Sequence, residues 1–146
     1  MSERIYFDTC CLNRQFDDQS QPRIRAEKEA IDRILALPIT LISSDTLLEE
    51  NASSPDALRR EKVDALLAQA AETIATNEAI MKRTRELQQL GFKHMDAQHL
   101  ATAEAAGADW FFTTDKRFLN CARRHAATVK VPVENPLSWW IRFHQT

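Results

Sequence analysis

The sequence predicts an α/β fold: a short, mostly parallel central sheet with helices on both faces. Three features predict it. Strand-like runs alternate with helix-period segments along the chain, the pattern of successive β-α-β units. The run Trp110–Phe112 is aromatic without alternation, as expected of a strand covered on both faces. Two strand-like runs are followed by aspartates, Asp8 and Asp115, and open sheets of this class form their sites outside the carboxyl ends of strands.

Arg4 to Thr9 alternates as a first strand, with Ile5 and Phe7 on one face and Tyr6 and Asp8 on the other. Asn13 to Gln21 is polar and predicts a loop. From Pro22 to Leu37 the residues Ile24, Ile31, Ile34 and Leu35 recur at helical spacing, and Pro38 stops the helix. Ile39 to Ser43 predicts a second strand. Ser43, Ser44 and Asp45 then offer caps for a short helix carrying Leu47, Leu48, Glu49 and Glu50. Ser53-Ser54-Pro55-Asp56 is a helix start, and its apolar face is read through Leu58, Val63, Leu66, Leu67, Ala70 and Ile74.

A further helix is expected from about Asn77 to Leu90, terminated by Gly91, and another from near Asp96 to Gly107. Trp110 to Thr114 is the buried strand. Phe118, Cys121 and Ala122 mark the next helix. Val129, Val131 and Val133 alternate as a last strand, which Pro132 assigns to a sheet edge. Leu137 to Phe143 closes the fold as a helix, with Trp139 and Trp140 read as packing residues. No repeat or linker interrupts the chain, so residues 1–146 are expected to form a single domain.

Composition excludes several classes of function. Only Gly91 and Gly107 are glycines, so no glycine-rich phosphate loop or dinucleotide fingerprint can be built. Three cysteines, Cys10, Cys11 and Cys121, give no even disulfide framework, and buried free thiols are expected. No apolar run reaches membrane-spanning length. The N-terminus lacks a signal-peptide layout, so a cytoplasmic location is expected. A net charge of −2 is unlike that of a protein gripping long nucleic acid electrostatically. A nucleic-acid substrate would have to meet a local basic rim or be held through metal ions. Rim candidates are Arg14, Arg23, Arg25, Lys116, Arg117, Arg123 and Arg124, each of which, taken singly, also reads as a solvated helix charge.

The chemistry is carried by carboxylates. Asp8 and Asp115 stand at strand ends, and Glu50 and Asp96 are read as acids at helix beginnings. Taken singly, each could be a cap or a solvated acid; together they can converge on one crevice. Converging carboxylates raise one another's pKa until a cation compensates. All-oxygen ligation suits Mg²⁺ or Mn²⁺. Cations held this way activate water and neutralise a phosphodiester's developing charge.

Four stretches carry a family resemblance: Ile-Tyr-Phe-Asp-Thr at 5–9, Ser-Ser-Asp-Thr-Leu-Leu-Glu-Glu at 43–50, His-Met-Asp-Ala-Gln-His-Leu-Ala-Thr-Ala at 94–103 and Gly-Ala-Asp-Trp-Phe-Phe-Thr-Thr-Asp at 107–115. In this order they resemble the PIN domain and, within it, the VapC-like toxins of bacterial toxin–antitoxin pairs. The resemblance implies a single PIN-like domain and RNA cleavage dependent on Mg²⁺ or Mn²⁺. It also implies frequent homodimerisation and, in the toxin branch, a small antitoxin partner. Asp8, Glu50, Asp96 and Asp115 become the expected catalytic and metal-binding residues. Glu50 is preferred to Glu49 because it lies six residues after Ser44, the family's spacing for its second acid. Thr114 matches a hydroxyl position that orients a ligand, and Arg14, Lys116 and Arg117 are candidate substrate contacts.

Other readings fit less well. A haloacid-dehalogenase phosphatase needs a second aspartate two residues after the first, where this chain has Cys10. A receiver domain needs an acidic pair before its acceptor strand. Zinc on His94, Asp96 and His99 fails on spacing, because the histidines are five apart and not four; His99 is expected to pack or hydrogen-bond near a helix start. An inactive PIN-like scaffold for metal or RNA, or a non-toxin RNA-processing nuclease, would share these residues.

Overall fold

The computed structural model describes residues 2–144. Its strands are β1 (Arg4–Phe7), β2 (Thr40–Ser44), β3 (Glu72–Ile74), β4 (Trp110–Phe112) and β5 (Val133–Glu134). They form one sheet in the order β3-β2-β1-β4-β5, and every pairing is parallel. Flanking it are α1 (Thr9–Leu12), α2 (Pro22–Leu35), α3 (Asp45–Ala52), α4 (Ala57–Leu67), α5 (Glu78–Gln89), α6 (His94–Ala105), α7 (Lys116–Arg124) and α8 (Pro136–His144), with a 3-10 turn at Arg14–Phe16.

The central strands are covered on both faces. Ile5, Tyr6 and Phe7 of β1 and Phe111 and Phe112 of β4 are all buried. Register pairs Tyr6 with Phe111 and Phe7 with Phe112, and the Tyr6 and Phe111 rings stack at 5.3 Å. Trp139 of α8 is buried and packs edge-on against Phe112, as its reading as a packing residue expected. The cysteines are free, with Cys11 and Cys121 buried.

Helix starts follow the capping residues. Ser44 caps α3 through Leu47 N, Asp56 caps α4 through Leu58 N and Arg59 N, and Asn77 caps α5 through Ile80 N. Gly91, at φ 112°, supplies the left-handed turn between α5 and α6 that other residues adopt at a cost.

Three local expectations change. The helix from Ser53 does not continue to Ile74: α4 stops at Leu67, and Glu72–Ile74 pairs with β2 as the short edge strand β3. Ala70 and Ile74 are apolar at helical spacing by coincidence, because a three-residue strand has too little alternation to declare itself. Residues 9–12 form the short helix α1 before the polar loop. Val129 and Val131 lie before β5, which occupies only Val133–Glu134 at the sheet edge.

Chain order explains where a site can form. From β1 the sheet grows outward through β2 and β3, and the chain then crosses to the other side of β1 to add β4 and β5. The strand order therefore reverses between β1 and β4, where open parallel sheets leave a crevice at the strand carboxyl ends. Asp8 follows β1 and Asp115 follows β4 shortly after Phe112. The backbone N–H of Asp8 donates to Phe112 O at 2.8 Å, which fixes one strand end to the other.

Candidate active site

Asp8 is 6% exposed and caps α1. Its Oδ1 accepts from Thr9 N at 2.8 Å, and its Oδ2 accepts from the Thr113 hydroxyl at 2.8 Å and from the Cys10 thiol at 3.3 Å. Burial pushes its carboxyl pKa well above the ordinary range, with the charges of Cys10 and Asp96 adding to the rise. Thr113 also accepts from Asp115 N at 3.1 Å, so one hydroxyl joins the two strand-end aspartates. Thr114 instead offers its backbone N–H to Cys10 Sγ.

Glu50 comes from α3, in its last turn and not at a helix beginning. It reaches the crevice because α3 packs on α6. Gln98 of α6 donates to Thr46 at 3.0 Å, and one turn along α3 the His99 Nε2 meets Glu50 Oε1 at 2.8 Å. The Thr9 hydroxyl donates to the same oxygen. Burial pushes the Glu50 pKa up, but these bonds from His99 and Thr9 outweigh it and leave the carboxyl below its ordinary value. Its neighbour Glu49 is exposed.

The ionised Glu50 is acceptor-only, which assigns the Nε2 proton of His99 to that bond. His99 Nδ1 faces the Tyr6 hydroxyl at 2.7 Å, and Tyr6 faces Ser44 Oγ at 2.8 Å. Burial raises the Tyr6 pKa well above its ordinary value, so the phenol keeps its proton and can donate to Nδ1. A buried relay, Ser44–Tyr6–His99, therefore holds Glu50 in place.

Asp96 sits in the first turn of α6, two residues after the helix begins. Its pKa is raised, by burial first and by the Asp115 charge second. Asp115 caps α7, its Oδ1 accepting from Arg117 N at 2.9 Å and Phe118 N at 3.3 Å.

The expectation of a closed four-carboxylate cluster is corrected. Among the described residues, the group whose ligand atoms all lie within 4.8 Å of one another is Asp8, Glu50 and His99. Asp96 stands outside that group but is coupled to it by charge, and Asp115 is coupled in turn to Asp96. His99 takes an inner place because it lies three residues after Asp96, on the same helix face; that spacing was the signal available in the sequence. Thr9, Thr113 and Tyr6 gave no comparable signal. His94 is exposed and does not belong to the group.

The expected substrate contacts separate in space. Arg14 turns toward Glu27 and Asp17, at 2.7 and 3.0 Å. Lys116 and Arg117 are exposed in the first turn of α7 beside Asp115.

The sequence profile of the PIN domain matches residues 5–124, and no curated protein matches the chain significantly. Among solved structures, FitAcB from Neisseria gonorrhoeae aligns with a TM-score of 0.61 at 17% identity, covering 90% of this chain and 97% of that one. A chain of a toxin–antitoxin complex from Klebsiella pneumoniae aligns at 0.60 and 21%, with the same coverage of 90% and 97%. VapC20 of Mycobacterium tuberculosis, a sarcin–ricin loop cleaving toxin, aligns at 0.56 and 14%, covering 80% and 93%.

Proposed function

The chain belongs to the PIN domain family, and from that premise we propose that it is a metal-dependent endoribonuclease. Its reaction is hydrolysis of RNA phosphodiester bonds at Asp8, Glu50, Asp96 and Asp115. The observation that carries this reading is the acidic crevice at the strand-order reversal. There a buried Asp8 and a half-buried Asp96 both have raised pKa values, a charge excess that a divalent cation would relieve.

The donor set fits such a cation. Asp8, Glu50 and His99 bring ligand atoms together, but the His99 Nε2 proton is committed to Glu50. The groups left open are carboxylate oxygens, which favours Mg²⁺ or Mn²⁺ over softer metals. When bound, the cation supplies Lewis acidity and charge neutralisation for phosphodiester cleavage. The protein supplies position. Thr113 and Thr9 N–H fix the two oxygens of Asp8, and His99 and Thr9 fix Oε1 of Glu50. Thr114, Lys116 and Arg117 stand beside Asp115, where they would meet substrate. Cleavage of RNA should require Mg²⁺ or Mn²⁺, and undiminished cleavage in excess chelator would refute the reading. Tight Mn²⁺ binding with no cleavage would instead favour an inactive scaffold.

The twin glutamates give a sharper test. Glu50→Gln should lower activity by at least about tenfold, the lower range for disturbing a metal site's supporting contacts. Glu49→Gln should change it little, because adjacent helix positions point about 100° apart. The reverse result would move the site to Glu49.

A toxin role is the finer form of this proposal. It is supported by the fold shared with FitAcB, the Klebsiella complex and VapC20. In that role the chain acts in the cytoplasm as a homodimer and binds a small antitoxin, which blocks the acidic crevice with an arginine. A guanidinium suits converging carboxylates and stays charged at cellular pH. Growth arrest on expression, relieved by a co-expressed small neighbouring protein, is the expected result. Among the described residues no helix is long and apolar enough to cross a membrane.

A further inference from the structure

Beside the acidic crevice lies a cavity of about 400 Å³ between the α5–α6 turn and one face of α7. Arg117, Asn120 and Arg124 line it from α7, at spacings that put them on one helix stripe. Lys93 lines it from the turn after Gly91, and Asp96 closes it on the crevice side. Lys93, Arg117 and Arg124 are exposed, and among the described residues none is ion-paired with an acid. Among the other rim candidates, Arg14 and Arg23 are drawn to Glu27 and Arg123 faces Glu134, while the exposed Arg25 and Lys116 do not line the cavity. In a chain of net charge −2, three free cations against one carboxylate make this cavity a local positive site. It is continuous with the proposed catalytic acids, because Asp96 belongs to both and Arg117 N–H donates to Asp115 Oδ1.

We propose that this cavity binds the RNA backbone next to the scissile bond, with Lys93, Arg117 and Arg124 each engaging phosphate oxygens. Arg117 and Arg124 are seven residues apart, roughly 10 Å along the helix, so the stripe tracks a strand and does not grip a single phosphate. This arrangement explains how a weakly acidic protein holds a polyanion: the cations are concentrated at one wall of the site and the acids at the other. Phosphate contacts of this kind position the chain without reading its sequence.

The inference rests on the ribonuclease reading for its substrate, and the experiment separates the two. Binding of a labelled single-stranded oligoribonucleotide is measured in chelator over a range of salt, on the full chain carrying Asp8→Asn so that the RNA survives. The variants are Lys93→Gln, Arg117→Gln, Arg124→Gln and their combination, with Lys82→Gln, exposed on α5, as a control. The combined variant should weaken binding about tenfold or more and flatten the salt slope by about 2, near 0.7 per lost single-strand phosphate contact. In the chain with Asp8 intact, Lys93→Gln and Arg124→Gln should raise KM with little change in kcat, as removal of uniform binding does.

If the parent binds RNA through the cavity but never cuts it, the ribonuclease reading falls and the cavity assignment stands. Equal affinity and equal salt slope in parent and combined variant overturn the assignment, whether or not RNA is cut. Loss of affinity for a polyglutamate peptide alone, with RNA binding intact, also overturns it and gives the cavity to an acidic protein segment.

Discussion

Replacing Asp8 by Asn should abolish RNA cleavage and, in the same protein, stabilise the metal-free fold at neutral pH. The activity loss should be at least about 100-fold, because removing even an outer partner of a metal site costs 10–100-fold. The stability gain follows from burial. Asp8 has a raised pKa in the folded protein, so the unfolded chain releases that proton more readily. Stability from this group is complete below the unfolded carboxyl pKa, about 3.9, and is lost as pH rises toward the folded value. Asn carries no proton to lose, so the variant should match the parent at about pH 3.5, below that value, and exceed it at pH 7. The gain is read as a rise in Tm at pH 7, with each kcal/mol corresponding to roughly 2–4 °C for a chain of this size. Melting in chelator across this range, beside a cleavage assay, checks both parts. Parental cleavage by Asp8→Asn would remove Asp8 from the site. A Tm gain independent of pH would refute the burial argument.

Glu27→Ala should be the most destabilising single change outside the core. Glu27 is fully buried on α2. Arg14 donates to its Oε1 through Nε and Nη2 at 3.0 and 2.7 Å, and Asn135 donates to its Oε2 at 2.7 Å. The Asn135 Oδ1 in turn caps α8 through Leu137 N and Ser138 N. One carboxylate thus joins the 3-10 turn, α2 and the last helix. Its loss leaves the buried Asn135 amide without its acceptor and the Arg14 guanidinium with Asp17 alone. Arg14 is about a fifth exposed and can recover some hydration, which sets the expected cost at roughly 2–4 kcal/mol, below the loss for a fully buried pair. Glu29→Ala, exposed on the same helix, should change stability by about 0.5 kcal/mol or less. Urea denaturation of both variants is the measurement, and equal midpoints would refute the network's role.

The sequence by itself determined the class of fold, the carboxyl-end positions of Asp8 and Asp115, and the start of most helices. These are short-range properties: side-chain period, caps and chain-stopping prolines act over a few residues and are written locally. It also ordered the four acids, and the resemblance selected Glu50. What only the tertiary structure decided is which groups meet. His99 joins Glu50 across 49 positions, Thr113 reaches Asp8 across 105, and Asn135 reaches Glu27 across 108. Glu27 and Glu29 look alike on a polar helix, yet packing buries one and solvates the other. The same packing turned Arg14 inward to an ion pair and left Arg117 and Arg124 free beside Lys93. The edge strand β3 was hidden for a related reason, since three residues carry too little pattern and take their conformation from pairing with β2. Local pattern sets what an element is; the partners of its side chains are set by how distant elements pack.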